Sequence, residues 1–233
     1  MILWFLCDGS GLMGQPWAEA GHTVYCFNAD EGDHGPYTRF GCRVEHPNIH
    51  YINTWIDSKF VMKAMATSGD KPDLIFAFPP CTDIAVSGAR HFAAKLAANP
   101  ACQDDAVATA RIAERLGRWF NVPYMIENPV SVMASLWRKP DFTFHPWEFS
   151  GYLPEGDMHP FFPDLIAGRD QYPKKTCLWT GNGFKYPKKL PVPIPPGYSD
   201  QFHKLGGKSA KTKTIRSLTP RGFALAVYQA NKD

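Results

Sequence analysis

The chain has 233 residues, 44% of them hydrophobic and 14% aromatic, and a formal net charge of +3. That length suits one domain with a sizeable core, and no apolar run is long enough to span a bilayer. Six scattered cysteines (positions 7, 26, 42, 81, 102 and 177) without a CxxC pair argue against a disulfide scaffold or a zinc ribbon and read as free thiols.

Residues 2–7 (ILWFLC) form a continuous apolar run that stops at DGSGLMG, which reads as a strand buried on both faces and a glycine turn into a helix. This opening has neither a basic leader nor a cleavage site, so a cytoplasmic protein is expected. PWAEAGH is a short helical segment, and TVYCFNAD is a second apolar run ending at an acid. Residues 49–55 and 73–78 read as a third and a fourth strand. A long helix is predicted over 101–119, with Ala106, Ala110, Ala113 and Leu116 on one face. VPYMIENP is a fifth strand cut off by Pro129. Strands alternating with helices predict an α/β fold: a mostly parallel sheet with helices on both faces. Ligands of such sheets sit at the carboxyl ends of the strands, which here carry DGSG, NAD, PPCT and ENP.

After about residue 140 the pattern decays, because YPKKLPVPIPPGY holds too much proline for a helix or a central strand. A loop-rich lobe with little core is expected there, followed by a turn at Pro220 and a closing helix. From Lys174 to Arg216 there are ten basic residues and one acid, a local charge of +9 that leaves −6 for the rest. Such a surplus suits a polyanion, or is a solvated lysine face.

Two motifs carry chemistry. A thiolate is a strong nucleophile, and Cys81 of PPC stands at a strand end. Glu127 of ENP follows the apolar YMI, where an ionisable group is costly without a partner or a task. Together they can attack one atom of a heterocycle and hold a proton on another. DGSG with Asp30 suggests an adenosine-containing cofactor, or is a plain turn with a solvent-facing acid.

The series DGSG, NAD, PPC, ENP resembles the motif order of the DNA cytosine-5 methyltransferases, and PPCTDIAVSGARHF, IENPVS and KKTCLW resemble the compact phage and prophage versions. The resemblance covers nearly the whole chain. It implies a Rossmann-like S-adenosylmethionine-dependent methyltransferase fold, double-stranded DNA as partner and S-adenosylmethionine as cofactor. It implies Cys81 as the nucleophile at C6 of a flipped cytosine and Glu127 as the partner of N3, with Asn128 and Pro129 shaping that loop. Asp8, Gly9, Ser10, Gly11, Asn28, Asp30, Asn53, Pro80 and Ser217 fall at cofactor positions. Ser87, Arg90, Lys174, Lys185, Lys188, Lys208 and Arg216 are the expected DNA contacts, Arg90 being alternatively a plain surface arginine.

The family's base-fixing arginine motif is PKKTCLW here, so Lys174 or Lys175 substitutes, and Lys175 is taken as the catalytic one. The resemblance divides the chain into a catalytic core at 1–140, a small basic target-recognition region at 141–215, where Phe184, Tyr186, Tyr198 and Phe202 lie among the lysines, and a returning segment at 216–233. A monomer reading a short target is expected. His145, His159 and His203 have no metal-ligand spacing, and no metal is expected. Arg216 and Arg221 near the transferred group would suit carboxymethyl transfer from carboxy-S-adenosylmethionine. An RNA cytosine methyltransferase fits less well, since the one Thr-Cys pair (Thr176–Cys177) comes late, and amino-group enzymes carry an aromatic where Cys81 stands. A DNA-binding relative without turnover is the reading from a different class.

Overall fold

The structure, a computed structural model, describes residues 1–33, 35–194 and 209–233. Seven strands, β1 (Ile2–Leu6), β2 (Thr23–Asn28), β3 (Ile49–Asn53), β4 (Leu74–Ala77), β5 (Tyr124–Pro129), β6 (Phe142–Phe144) and β7 (Thr176–Gly181), make one sheet in the order β3-β2-β1-β4-β5-β7-β6. β1 to β5 are parallel, and β7 runs antiparallel between β5 and β6. The order reverses between β1 and β4, the kind of switch point at which doubly wound sheets open a crevice. This is the α/β architecture expected from the sequence, a mostly parallel Rossmann-like sheet with helices on both faces.

Alternation along the strands decides where the helices go. Leu3 and Phe5 of β1, Leu74 and Phe76 of β4, Met125 of β5 and Leu178 of β7 join one buried cluster. Their neighbours Trp4, Leu6, Ile75, Ala77, Tyr124, Ile126, Cys177 and Trp179 join another on the opposite face. Both faces are covered, which is why ILWFL shows no polar alternation. The first is packed by α1 (Gln15–Glu19) through Trp17. The second is packed by α2 (Ser58–Met65), while α3 (Phe92–Ala98) buries nothing fully. α4 (Cys102–Ala110), α5 (Ile112–Phe120) and α6 (Met133–Leu136) complete that second layer. α7 (Ala210–Ser217) lies over the glycine turn, and α8 (Arg221–Asn231) packs on the first face through Phe223, Ala224 and Val227.

Two sequence expectations change. The predicted helix over 101–119 is two helices that break at Arg111 (φ −74°, ψ −3°). The break re-phases the apolar stripe so that Ala110, Ile112 and Ala113 are all buried, and Glu114 bridges Arg111 and Arg118. The region after 140 is also less loose than its prolines imply. It supplies β6 and β7, and Leu178 and Trp179 are fully buried, so the sheet extends past the expected boundary at 140. Lys208, Tyr198, Phe202 and His203 lie outside the described residues.

Candidate active site

Strand register brings the four sequence motifs to one edge. Leu6 pairs with Phe27 and with Ala77, and Ala77 pairs with Ile126. Asp8, Asn28, the PPC turn and Glu127 therefore begin at nearly the same level. Because β7 is antiparallel, its start is at this edge as well: Cys177 faces Asn128 and Thr176 faces Pro129, so Lys174 and Lys175 enter beside Glu127.

Period-2 alternation puts Phe78 on the side of Phe76, and Glu127 on the side of Met125. There they line a pocket with Phe144, Phe223, Lys174 and Ser217. Cys81 sits partly buried on a turn whose carbonyl (its own) accepts from Ile84 N at 3.1 Å and Ala85 N at 2.9 Å. Asn128, 1% exposed, donates from Nδ2 to Pro79 O at 3.0 Å and so ties the Cys81 turn to the strand of Glu127. Burial pushes the Cys81 thiol up, the Lys174 and Arg216 charges pull it down, and the Glu127 carboxylate pushes it up. Burial also raises Glu127, opposed by Lys174. Lys174 Nζ donates to Arg216 O at 2.9 Å, which fixes the ammonium at the meeting point of β7 and α7. Lys175 acts elsewhere: its charge bears on Cys177 and His145. Lys174, and not the Lys175 expected to be catalytic, is thus the lysine whose charge bears on Cys81 and Glu127, because one step along an extended chain turns a side chain to the other face.

The glycine turn closes on its own side chains. Asp8 Oδ1 accepts from Ser10 N at 2.8 Å, Ser10 Oγ at 2.9 Å and Gly11 N at 3.0 Å, so these donors are satisfied within the turn. Asp8 Oδ2 is buried with no partner, and burial raises this carboxyl. A Cβ on Gly9 would stand 2.2 Å from the Tyr37 ring. Tyr37 is buried, and its hydroxyl lies 3.0 Å from Ser217 Oγ. At the ends of β2 and β3, Asn28 Nδ2 donates to Asp30 Oδ1 at 2.9 Å, and Asp30 N donates to Asn53 Oδ1 at 3.1 Å. Arg43 completes the group, donating from Nη2 to Asp30 Oδ1 at 3.1 Å and from Nε to Gly9 O at 3.0 Å, its guanidinium 4.2 Å over Tyr51. Tyr37 and Arg43 were invisible in the sequence because they belong to an aperiodic loop. Their only signal was a tyrosine and an arginine shortly after the acid that ends β2.

Other expected residues scatter. Ser87 and Arg90 are exposed on the 3-10 turn Val86–His91 that follows Cys81. Pro80 is exposed and lines a separate pocket with Asp83, Asn99, Cys102 and Asp105, away from the glycine turn as that lining describes it. Lys185 lies past Gly181, which pairs with Tyr124 at the opposite edge of the sheet, and its Nζ donates to Asp233 O at 3.1 Å. Lys188 is exposed just beyond it. Arg221 is held bidentately by Asp157 at 2.9 and 2.6 Å and faces Asp170, so it is committed to the fold and not to a cofactor carboxylate. Arg216 remains near Cys81.

No protein-family model matches the chain, and no curated protein does. Among solved structures, one similar chain is described as a candidate DNA modification methyltransferase encoded within an E. coli prophage. It is 12% identical, with a TM-score of 0.49, over 83% of this chain and 52% of that one.

Proposed function

We propose that the protein is a DNA cytosine-5 methyltransferase using S-adenosylmethionine. The observation that carries the reading is the convergence of Cys81, Glu127 and Lys174 at one strand edge, Cys81 feeling the charges of Lys174 and Glu127, and Glu127 that of Lys174. C5 of cytosine becomes nucleophilic only after addition at C6. The Cys81 thiol loses its proton to solvent, helped by the Lys174 and Arg216 charges, and Sγ bonds to C6. The electron pair released moves through the ring, and N3 takes a proton from Glu127, whose raised carboxyl keeps one to give. C5 would then take the methyl carbon as that carbon's bond to sulfur breaks and a neutral thioether leaves; C5 gives its own proton to solvent, N3 returns its proton to the Glu127 carboxylate, and the thiolate is expelled, which restores the ring. A base held in the duplex cannot reach Cys81, so the target is flipped out.

The cofactor supplies an electrophilic methyl on a cationic sulfur. The residues present fit it: a buried, unpartnered Asp8 oxygen suits a cation, and Asp30 with Asn53 suits ribose hydroxyls. For Asp30 to take a ribose, Arg43 must release it. The chain reads its target through 141–215 together with the lysines of the catalytic edge, as a monomer on duplex DNA. Methyl transfer is favoured over carboxymethyl transfer because Arg221 is already paired.

The test is nucleoside mass spectrometry on DNA from cells expressing the protein or its Cys81→Ala variant. 5-Methylcytosine that needs Cys81 is expected, and bisulfite sequencing then gives the target. DNA that is bound but never modified would leave a binding protein without turnover.

A further inference from the structure

The segment between β2 and β3 lies down over the glycine turn. The Tyr37 ring covers Gly9, and Arg43 donates from Nε to Gly9 O at 3.0 Å. One residue of this segment, Asp33, reaches further. Its Oδ2 accepts from Thr82 Oγ1 at 2.5 Å, on the turn that carries Cys81, and its Oδ1 pairs with Lys213 of α7. The same helix holds Arg216, whose carbonyl accepts from Lys174.

Sheet order says what this contact crosses. β2 and β4 both flank β1, so a bond from a residue after β2 to one after β4 passes over the carboxyl end of β1. That end is the glycine turn, beside the point where the strand order reverses and a ligand crevice opens. Asp33 thus fastens the segment across the crevice, with one arm on the Cys81 turn and the other on α7. The space at this meeting point is small. The cavity lined by Phe78, Glu127, Lys174, Ser217 and Phe223 has a volume of about 10 Å³, room for one water, whereas a nucleoside-sized ligand needs about 300 Å³ or more. For a cofactor to seat here the segment must lift, and its fastening must come undone. That fastening is suited to opening: Asp33 and Lys213 are 43% and 34% exposed, so water and salt screen their attraction.

We propose that Asp33 is the latch of a cofactor gate, releasing Thr82 and Lys213 to admit S-adenosylmethionine and again to let the spent cofactor leave. The inference rests on the methyltransferase reading above. Between those two openings the latch is made over the filled crevice, which ties the cofactor segment to the Cys81 turn while the reaction runs.

The experiment follows S-adenosylhomocysteine, a ligand without net charge, by stopped-flow tryptophan fluorescence, which reads entry and exit separately. A latch made over both the empty and the filled crevice slows the two by the same factor, because each passes through the open state. Asp33→Asn should therefore raise the association and dissociation rates together, by about 3-fold or more, and leave Kd within about 2-fold. Added salt should raise both rates in the unaltered protein, and Asp33→Asn should lose that dependence. Asp33→Lys combined with Lys213→Glu restores the ion pair with its charges exchanged, and should bring both rates back down. A side chain that only shapes the pocket changes dissociation alone. Faster dissociation with association unchanged, or no change in either rate, overturns the gate and leaves the methyltransferase reading standing. If neither the unaltered protein nor Asp33→Asn binds S-adenosylhomocysteine, the cofactor reading falls and the gate falls with it.

Discussion

At the scale of single residues, the site turns on where one ammonium stands. Lys174 is the common neighbour of the groups that must exchange protons, and it lowers both Cys81 and Glu127 against the effect of burial. Lys174→Met therefore raises both. Alkylation of Cys81 by iodoacetamide near pH 8 should slow, and adduct formation on fluorinated DNA should fall roughly 10- to 100-fold. Lys174→Arg keeps the charge and should recover much of both. Lys175→Met should leave the alkylation rate unchanged, since its charge bears on Cys177 and His145. If Lys175→Met proves the more damaging of the two, the placement of the ammonium is wrong. Arg221 illustrates the opposite use of a cation. It is 12% exposed, held by Asp157 and facing Asp170, and its own N–H donates to Asp170 Oδ2 at 2.6 Å. Removing its side chain takes the cation from buried Asp170 and partly buried Asp157, so Arg221→Ala should cost about 3 kcal/mol in urea unfolding. An unchanged midpoint would contradict that.

At the scale of elements, the sequence was most legible where burial has a period. ILWFL, TVYCFN, LIFA and YMI are strands because both faces are covered, and their ends carry the motifs where α/β topology puts ligands. What it did not reveal were features made by distant partners. Thr176–Gly181 follows Pro173, Lys174 and Lys175 and is succeeded by a proline-rich stretch, and it is an interior strand only because β5 lies ready to pair with it. The break at Arg111 is invisible for a similar reason: the stripe Ala106, Ala110, Ala113, Leu116 reads as one helix, and only packing against the sheet decides where it re-phases. The aperiodic segment holding Tyr37 and Arg43 carries two of the closest contacts to the glycine turn. Since Arg43 occupies Asp30, Arg43→Ala should expose that acid. Binding of S-adenosylhomocysteine, measured by calorimetry, should tighten if Arg43 only blocks the site and weaken if it also holds the ligand. The pairing with Asp30 predicts tightening. Gly9→Ala should weaken binding and stability together, because its Cβ would stand 2.2 Å from the Tyr37 ring.

At the scale of the whole molecule, charge and pH set the working conditions. The basic surplus of 174–216 is not one face: Lys174, Lys213 and Arg216 border the catalytic edge, whereas Lys185 lies at the other edge with the last helix turn. The salt dependence of DNA binding should therefore be shallower than ten cations would give, since the slope scales with the phosphates neutralised. Lys185→Ala should leave that slope unchanged. His159 should weaken the fold as the pH falls into the mild-acid range. Its ring is buried, Nδ1 accepts from Phe161 N and Phe162 N, and burial with the nearby Arg221 charge lowers its pKa to about 3. The unfolded chain binds this proton below about pH 6.5 and the folded one does not, so stability is complete above that value. Going down through the window to about 3 it is lost by about 1.4 kcal/mol per pH unit from this group. Thermal unfolding at pH 7 and pH 5 should show the drop, and His159→Asn should flatten it.

The place of β7 also has a consequence for synthesis. β5 ends at Pro129, but the strand that covers its open side starts only at Thr176, and it separates β5 from β6, which precedes it in the chain. While the ribosome makes the intervening residues, the strand bearing Glu127 has a bare edge able to pair with another nascent chain. Translation that stalls between those two points should leave material prone to association, and a holdase should matter most over that interval.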